Sequence, residues 1–335
     1  MILYALTIFL SAFLLFQVQP LIAKIILPWF GGSAAVWTVC MLFFQLLLLA
    51  GYVYSHAYVR LRIPARRHVH IALLALAAAT LPLAASAAWK PAGGEDPTWR
   101  ILGVLATSVG LPYFALSTTG PLVQAWYARS HEGAAPYRLF ALSNLGSMLA
   151  LVSYPLAVEP LLALGTQAAV WSAGFALFAL ACAALAWRSK GAEAQPLAGG
   201  ESGRPGPGLQ ALWASLACCA SLLLLAFTGH ITLNIAAIPF LWVLPLALYL
   251  LSFVLCFEAS GWYRRWLFLP LLAAGLAGVC VTLTRSNPSI WALIPLYCAT
   301  LFAACMVCHG ELARSKPHPQ HLTGFYLMLA LGGAE

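Results

Sequence analysis

The chain has 335 residues, of which 62% are hydrophobic and 8% are charged, and its mean hydropathy is +0.89. Ordinary soluble proteins carry about 25% charged residues, so 17 Lys+Arg and 9 Asp+Glu exclude a water-facing surface of normal extent. Asp96 is the sole aspartate, which excludes sites built on clustered carboxylates, such as paired catalytic acids and EF-hand or Walker-type metal sites.

Apolar runs separated by Pro, Gly and charged residues predict an all-α integral membrane protein, a polytopic bundle whose helices each use about 20 residues to cross the bilayer. The predicted spans are residues 2–27, 34–58, 69–89, 101–126, 138–158, 166–187, 210–230, 236–257, 265–284 and 289–308. An eleventh starts near residue 321 and is cut off at Glu335 after about 15 residues, too few to cross. We therefore expect about ten full spans plus a truncated eleventh, in a fragment or a truncated gene product.

The first predicted span could be mistaken for a signal peptide, but it lacks a basic n-region and a small-residue cleavage site. It carries Gln17, Gln19 and Lys24. An ionisable group inside a span is by default a functional candidate, yet Lys24 lies close to Trp29 and could instead extend to the outer interface. For the two glutamines we expect hydrogen bonds to a neighbouring helix.

The fifth predicted span has a polar residue near each end. Asn144 lies among Ser143, Gly146 and Ser147, a small-residue face typical of close helix packing with an interhelical hydrogen bond. Glu159 follows at the outer end, where it is either an exposed loop carboxylate or a weaker site candidate.

The longest polar stretch runs from Arg188 to Gly208 and is rich in Gly, Pro and small residues, which predicts a flexible cytoplasmic linker. It divides the chain into a six-helix half (1–187), the linker (188–209) and an incomplete second half (210–335), a transporter-like six-plus-six plan. The halves share a weak internal repeat, LFALSNLGS at 139–147 and FYLMLALGG at 325–333. If the repeat is real, a twelfth helix is missing.

The second half carries His230 and Asn234 in an uncharged segment between Gly229 and Pro239. The segment corresponds in position to the polar end of the first span. It is therefore either an outer loop with polar residues or a broken turn that lines a cavity. Together, the candidate intramembrane polar site comprises Gln17, Gln19, Lys24, Asn144, His230 and Asn234.

Residues Cys305 to His309 read CMVCH, which fits the C-x-x-C-H pattern of c-type haem attachment. Small cysteines are also common packing residues in apolar helices, and the segment is predicted at the cytoplasmic end of its span, so we favour packing over haem c. His309 and Glu311 are weaker site candidates, because nearby histidines lack the tight spacing of a metal site. We expect no catalytic residue, metal or cofactor in this chain.

The basic residues give the orientation, because Lys and Arg concentrate on the cytoplasmic side of membrane proteins. Thirteen of the 17 fall in alternate loops on one side: Arg60, Arg62, Arg66, Arg67, Arg129, Arg138, Arg188, Lys190, Arg204, Arg264, Arg265, Arg314 and Lys316. Only Lys90, Arg100 and Arg285 fall on the other side. We therefore expect a cytoplasmic N-terminus and attribute the net charge of +8 to topology, not to nucleic acid.

Several phrases together resemble the membrane part of bacterial spermidine synthase-like proteins. They lie at 9–56 (FLSAFLLFQVQPLIAK and onward), 113–130, 137–160, 238–257 and 308–333. The resemblance implies a bundle in the bacterial inner membrane that anchors a synthase or methyltransferase-like domain beyond residue 335. That domain would use an S-adenosylmethionine derivative in polyamine biosynthesis.

Three functions remain open from the sequence. The first is the membrane anchor of such an enzyme, which exchanges a small molecule with it. The second is an autonomous secondary transporter of a small solute. The third, a haem or redox membrane protein, depends on Cys305, Cys308 and His309 alone. In each case the expected partners are the lipid bilayer and a small-molecule ligand.

Overall fold

The computed structural model describes residues 1–31, 34–60, 66–91, 97–131, 136–189, 203, 205–234, 240–259, 261–284 and 289–333. These residues form helices and connecting turns without a strand. The long helices are α1 (Ile2–Phe30), α2 (Ala34–Arg60), α3 (Arg66–Ala79), α4 (Thr98–Ser130), α5 (Pro136–Leu161), α6 (Leu164–Arg188), α7 (Pro207–Asn234), α8 (Phe240–Glu258), α9 (Arg265–Leu283), α10 (Ile290–Arg314) and α11 (Leu322–Gly333). The all-α polytopic architecture predicted from the sequence is confirmed.

Eight of these helices are long and apolar enough to cross a membrane: α1, α2, α4, α5, α6, α7, α9 and α10. The third predicted span, 69–89, is the main difference, since α3 ends at Ala79. Pro82 follows within three residues and has no N–H to donate, so the helix stops before it. A short 3₁₀ turn at Ala87–Trp89 occupies the end of the predicted span.

Two helices contain one π-helical segment each, Ala106–Gly110 in α4 and Tyr154–Val158 in α5. The segment in α5 contains Pro155, and the one in α4 ends two residues before Pro112. Proline removes a backbone donor, and a widened turn accommodates that loss without ending the helix. Both helices therefore continue past the proline.

The bundle consists of two halves, α1–α6 and α7–α11. Within the first half α1 packs on α5 and α2 on α4, and within the second α7 packs on α11 and α8 on α10. The halves meet where α5 packs on α8 and α2 on α11. The predicted linker joins α6 to α7, but residues 190–202 and 204 lie outside the described residues.

The internal repeat corresponds to an equivalent contact in each half. A Cβ built on Gly146 of α5 would lie 2.9 Å from the backbone oxygen of Phe9 on α1. A Cβ on Gly332 of α11 would collide with the backbone oxygen of Ala214 on α7. Glycine thus permits the closest backbone approach at the same position of both helix pairs.

Candidate functional site

A cavity of about 220 Å³ lies between the two halves, near the middle of the helices that form it. Its walls come from α1, α2, α4 and α5 on one side and from α8 and α11 on the other. The volume is below the roughly 300–1,000 Å³ of sites for drug-sized ligands, which favours a smaller molecule. Among the described residues that line it, none is charged.

The wall formed by α2 and α5 carries polar side chains. Gln45 and Tyr52 face the cavity from α2, and Ser143, Asn144 and Ser147 face it from α5. Asn144 donates from Nδ2 to the carbonyl four residues earlier in its own helix, at 2.9 Å. The side chains of Gln45, Tyr52, Ser143 and Ser147 make no hydrogen bond to another described residue. Such groups can donate to and accept from a bound molecule.

Aromatic rings from α5, α8 and α11 form another part of the cavity wall. Phe140 of α5 stacks on Tyr326 of α11, with ring centroids 4.9 Å apart and planes at 23°. Phe253 of α8 meets Phe140 edge-on at 5.4 Å, and Tyr249 of α8 meets Phe253 edge-on at 5.4 Å. The cavity therefore offers both hydrogen-bonding groups and aromatic rings to a bound molecule.

We name the end of the bundle where Arg60, Arg129 and Arg314 lie the basic end. Contacts between the halves close the cavity toward this end. Three hydrogen bonds, which we name the basic-end seal, cross between the halves. They join Tyr326 Oη to Gln124 Oε1 at 2.6 Å, His56 Nδ1 to Thr323 Oγ1 at 3.1 Å, and Tyr137 Oη to the Pro317 carbonyl at 2.6 Å. Lys316 Nζ also lies 5.0 Å from the centre of the Tyr137 ring.

The two predicted glutamines connect α1 to its neighbours. Gln17 Nε2 donates to the Ala150 carbonyl and to Ser153 Oγ on α5, both at 3.1 Å. Gln19 Nε2 donates to Tyr113 Oη on α4 at 3.2 Å. These are the bonds to neighbouring helices expected from the sequence. Neither residue lines the cavity.

Lys24 and Glu159 form an ion pair at the end of the bundle opposite the basic end. Lys24 Nζ lies 2.9 Å from Glu159 Oε1, and the side chains are 40% and 48% exposed. No sequence pattern connects the two residues, because 135 positions separate them. The pair ties α1 to α5 near the surface of the bundle and is remote from the cavity lining.

Asn144 is the predicted site residue that lines the cavity. The sequence predicted an interhelical hydrogen bond for it, but its amide bonds within its own helix, and the close packing beside it comes from Gly146. His230 stacks on Tyr297 of α10 at 4.9 Å with nearly parallel rings. The side chain of Asn234 and residues 235–239 lie outside the described part of the structure.

The weaker candidates His309 and Glu311 have separate surroundings on α10. His309 is fully buried; its Nδ1 lies 2.7 Å from Ser252 Oγ of α8, and its ring stacks on Phe253 at 3.5 Å. Glu311 accepts from Arg265 Nε and Nη2 at 2.6 and 2.5 Å and from Tyr263 Oη at 2.8 Å.

Cys305 and Cys308, the cysteines of the C-x-x-C-H pattern, are buried among helices. Cys305 packs in a cluster with Phe227 and Tyr297. Within the described residues, no group of three or more His, Cys, Asp or Glu side chains is placed to hold a metal ion.

Sequence reasoning missed most of the cavity lining. The residues on α2 and α5 repeat at i, i+3, i+4 and i+7: Gln45, Leu48, Leu49 and Tyr52, and Phe140, Ser143, Asn144 and Ser147. That spacing marks one face of a helix and was present in the sequence. On α5 this face was interpreted as close helix packing, and on α2 it did not stand out, because the surrounding residues are apolar.

Comparison with known proteins identifies the type of fold. No family model and no curated protein sequence matches the chain. Among solved structures, a proton:xylose symporter of the major facilitator superfamily, XylE bound to 6-bromo-6-deoxy-D-glucose, matches with a TM-score of 0.56 and 14% identity. The match covers 99% of this chain and 85% of the symporter. The chain has a major facilitator-type fold.

The expected relationship to spermidine synthase-like membrane domains is wrong. A structural match along nearly the whole chain is to a sugar symporter, and neither a family model nor a curated protein sequence connects the chain to polyamine biosynthesis. Most of the residues behind that expectation lie in apolar helices. Because the bilayer imposes apolar composition on every spanning helix, such phrases recur among unrelated membrane proteins.

Proposed function

We propose that this protein is a secondary transporter of a small neutral solute, which binds in the cavity between the halves. The observation that carries the proposal is the composition of that cavity. Both halves contribute to it, polar groups without a partner among the described residues face it, and its described lining has no charge. A charged solute would lose its hydration there without gaining a counter-ion, which is costly in a low-dielectric site.

Two further observations support transport. At the basic end, the three hydrogen bonds of the basic-end seal join the halves, and rocking of one half against the other would break them. The structurally similar symporter is described with a bound deoxyglucose, a neutral ligand of suitable size. A polycation such as spermidine is a poor candidate, because it would need carboxylates in the cavity wall.

We place the protein in the cytoplasmic membrane, with its N-terminus and the basic end in the cytoplasm. The bias of Lys and Arg toward one side of the bundle supports this orientation. In the same proposal, residues 1–187 and 210–335 are the halves that move, and residues 188–209 link them on the cytoplasmic side.

Uptake by purified protein in proteoliposomes tests the function. We expect saturable uptake of at least one neutral solute from a radiolabelled panel of D-xylose, D-glucose and glycerol, and none of spermidine or glutamate. Ser143→Trp should abolish uptake, because an indole fills the cavity, whereas Leu177→Trp on the exposed face of α6 is the matched control. Uptake confined to charged solutes, or unaffected by Ser143→Trp, would contradict the proposal.

A further inference from the structure

His309 is a titratable side chain that lies directly behind the cavity wall. It is fully buried on α10, and its ring stacks on Phe253 at 3.5 Å and meets the edge of Tyr249 at 4.8 Å. Phe253 and Tyr249 both line the cavity. A change in the charge or position of the imidazole therefore acts on two residues that would touch a bound solute.

Ser252 connects His309 to the helix that carries Tyr249. Ser252 Oγ lies 2.7 Å from His309 Nδ1 and 2.7 Å from the Tyr249 carbonyl on its own helix. The contact therefore occupies Nδ1 of the imidazole. In the tautomer with the proton on Nδ1, Ser252 Oγ accepts this hydrogen bond and Nε2 keeps a free lone pair.

Nε2 of His309 is buried and has no hydrogen-bond partner in the described part of the chain. Buried polar atoms in proteins are nearly always paired, and an exception calls for an explanation. His70, the other fully buried histidine among the described residues, shows the usual arrangement: its Nδ1 lies 3.2 Å from Tyr54 Oη and its Nε2 3.6 Å from Cys182 Sγ. His70 is thus a packed core residue, whereas one ring nitrogen of His309 is unpaired in the described part of the chain.

We propose that His309 is a proton-binding site that couples proton movement to solute movement. The inference rests on the proposed transport function. In this closed arrangement the imidazole is neutral, because a proton on Nε2 would find no acceptor among the described residues. When the wall of Phe253 and Tyr249 moves during the transport cycle, Nε2 takes a proton from water on one side, and the imidazolium returns it to water on the other.

Within the described part of the chain, the surroundings of His309 supply no fixed counter-ion for that proton. The titratable and charged groups on its own helix and on the elements packed against it are Tyr249, Cys256 and Glu258 on α8, Cys218, Cys219 and His230 on α7, Tyr263, Arg264, Arg265 and Cys280 at or on α9, and Tyr297, Cys298, Cys305, Cys308, Glu311 and Arg314 on α10. Glu311, two residues away, is bound to Arg265 and Tyr263. The charged form is therefore stabilised only when the wall opens to water or solute.

Proton-coupled uptake in proteoliposomes tests the site. The experiment uses the neutral solute identified by the panel above and the trapped dye pyranine, which reports protons. Wild type should take up protons with solute. His309→Gln keeps a hydrogen-bonding side chain but cannot bind the proton, so it should lose at least about tenfold in gradient-driven accumulation while exchange at equal pH stays within about threefold. His70→Gln is the matched control and should remain coupled.

The outcomes separate this inference from the proposed function. If no solute in the panel moves, the transport function fails and the proton site fails with it. If wild type moves solute without protons, or His309→Gln stays fully coupled, transport stands and the proton site is wrong. Should His309→Gln fail to fold, Ser252→Ala replaces it: loss of the Nδ1 partner should shift the pH midpoint of coupled uptake, and an unchanged midpoint would overturn the inference.

Discussion

Helices α4 and α9 are both long and apolar enough to cross a membrane, but they have opposite environments. The most apolar window of α4 has a mean hydropathy of 1.5 and is 61% buried, whereas that of α9 has a mean hydropathy of 2.1 and none of it is buried. The buried helix carries the polar residues Ser117, Thr118, Thr119 and Gln124. In this bundle, polarity along a helix thus indicates contact with protein, and uniform apolarity indicates contact with lipid.

The difference follows from where hydrogen bonds can form. Gln19 Nε2 of α1 donates to Tyr113 Oη of α4 at 3.2 Å, and Ser55 Oγ of α2 donates to the Thr118 carbonyl of α4 at 2.8 Å. Neighbouring helices provide such partners, while lipid tails provide none. The leucines of α9, among them Leu269, Leu271 and Leu276, are therefore its exposed surface.

The largest effect we expect comes from the α2–α4 contact. A side chain on Gly51 would collide with Ser117, so Gly51→Leu should force the two helices apart and lower the free energy of unfolding by about 3 kcal/mol. Gly165→Leu is the control, because a Cβ on this glycine of α6 would meet no atom within 4 Å. Thermal melting in detergent measures both; equal melting temperatures would break the claim that α4 is a tightly packed core helix.

A leucine-to-alanine substitution in each of α4 and α9 compares how tightly the two helices are packed. Leu122 of α4 is fully buried and Leu276 of α9 is 41% exposed. Leu122→Ala leaves a cavity and should cost about 2 kcal/mol, whereas Leu276→Ala exchanges one lipid contact for another and should cost under about 0.5 kcal/mol. Unfolding in mixed micelles measures both values. A cost for Leu276→Ala as large as that for Leu122→Ala would show that α9 packs against protein.

Gln124 tests the energetic value of a buried polar group at the interface of the halves. Gln124→Leu should cost about 1 kcal/mol, because it leaves Tyr326 Oη without its acceptor. In the double variant with Tyr326→Phe, the cost should be smaller than the sum of the single costs. Strict additivity in this double-mutant cycle would mean that the hydrogen bond contributes nothing to the basic-end seal.

The smallest effect is expected at the exposed ion pair. Removing either charge with Lys24→Gln or Glu159→Gln should change the free energy of unfolding by at most about 1 kcal/mol, since the pair is partly solvated. Solute uptake should be unchanged, because neither residue lines the cavity. Loss of uptake in both variants would instead indicate that Lys24 takes part in solute binding.

The sequence predicted the features that the bilayer imposes, namely the positions of long apolar helices. It did not predict features that depend on contacts between residues far apart in the chain. Ten predicted spans overlap observed helices because each crossing needs a long apolar run. The shortened α3 shows the limit: the apolar residues continue past Ala79, but Pro82 ends the helix.

The cavity and the ion pair could not be predicted in the same way. Gln45, Ser143 and Tyr326 meet at one cavity only after three helices from both halves have packed. Lys24 and Glu159 pair across 135 residues, so no local pattern connects them. The family resemblance failed because apolar helical phrases carry little information about ancestry.

Movement of the two halves is the most direct test of alternating access. Spin labels at Arg138→Cys on α5 and Arg314→Cys on α10 report the distance between the halves at the basic end, where both side chains are exposed. The exposed Cys219 and Cys280 would first be replaced by alanine. In nanodiscs, we predict a shorter and a longer distance population whose ratio changes when the transported neutral solute is added. A single distance distribution that no solute alters would contradict the account.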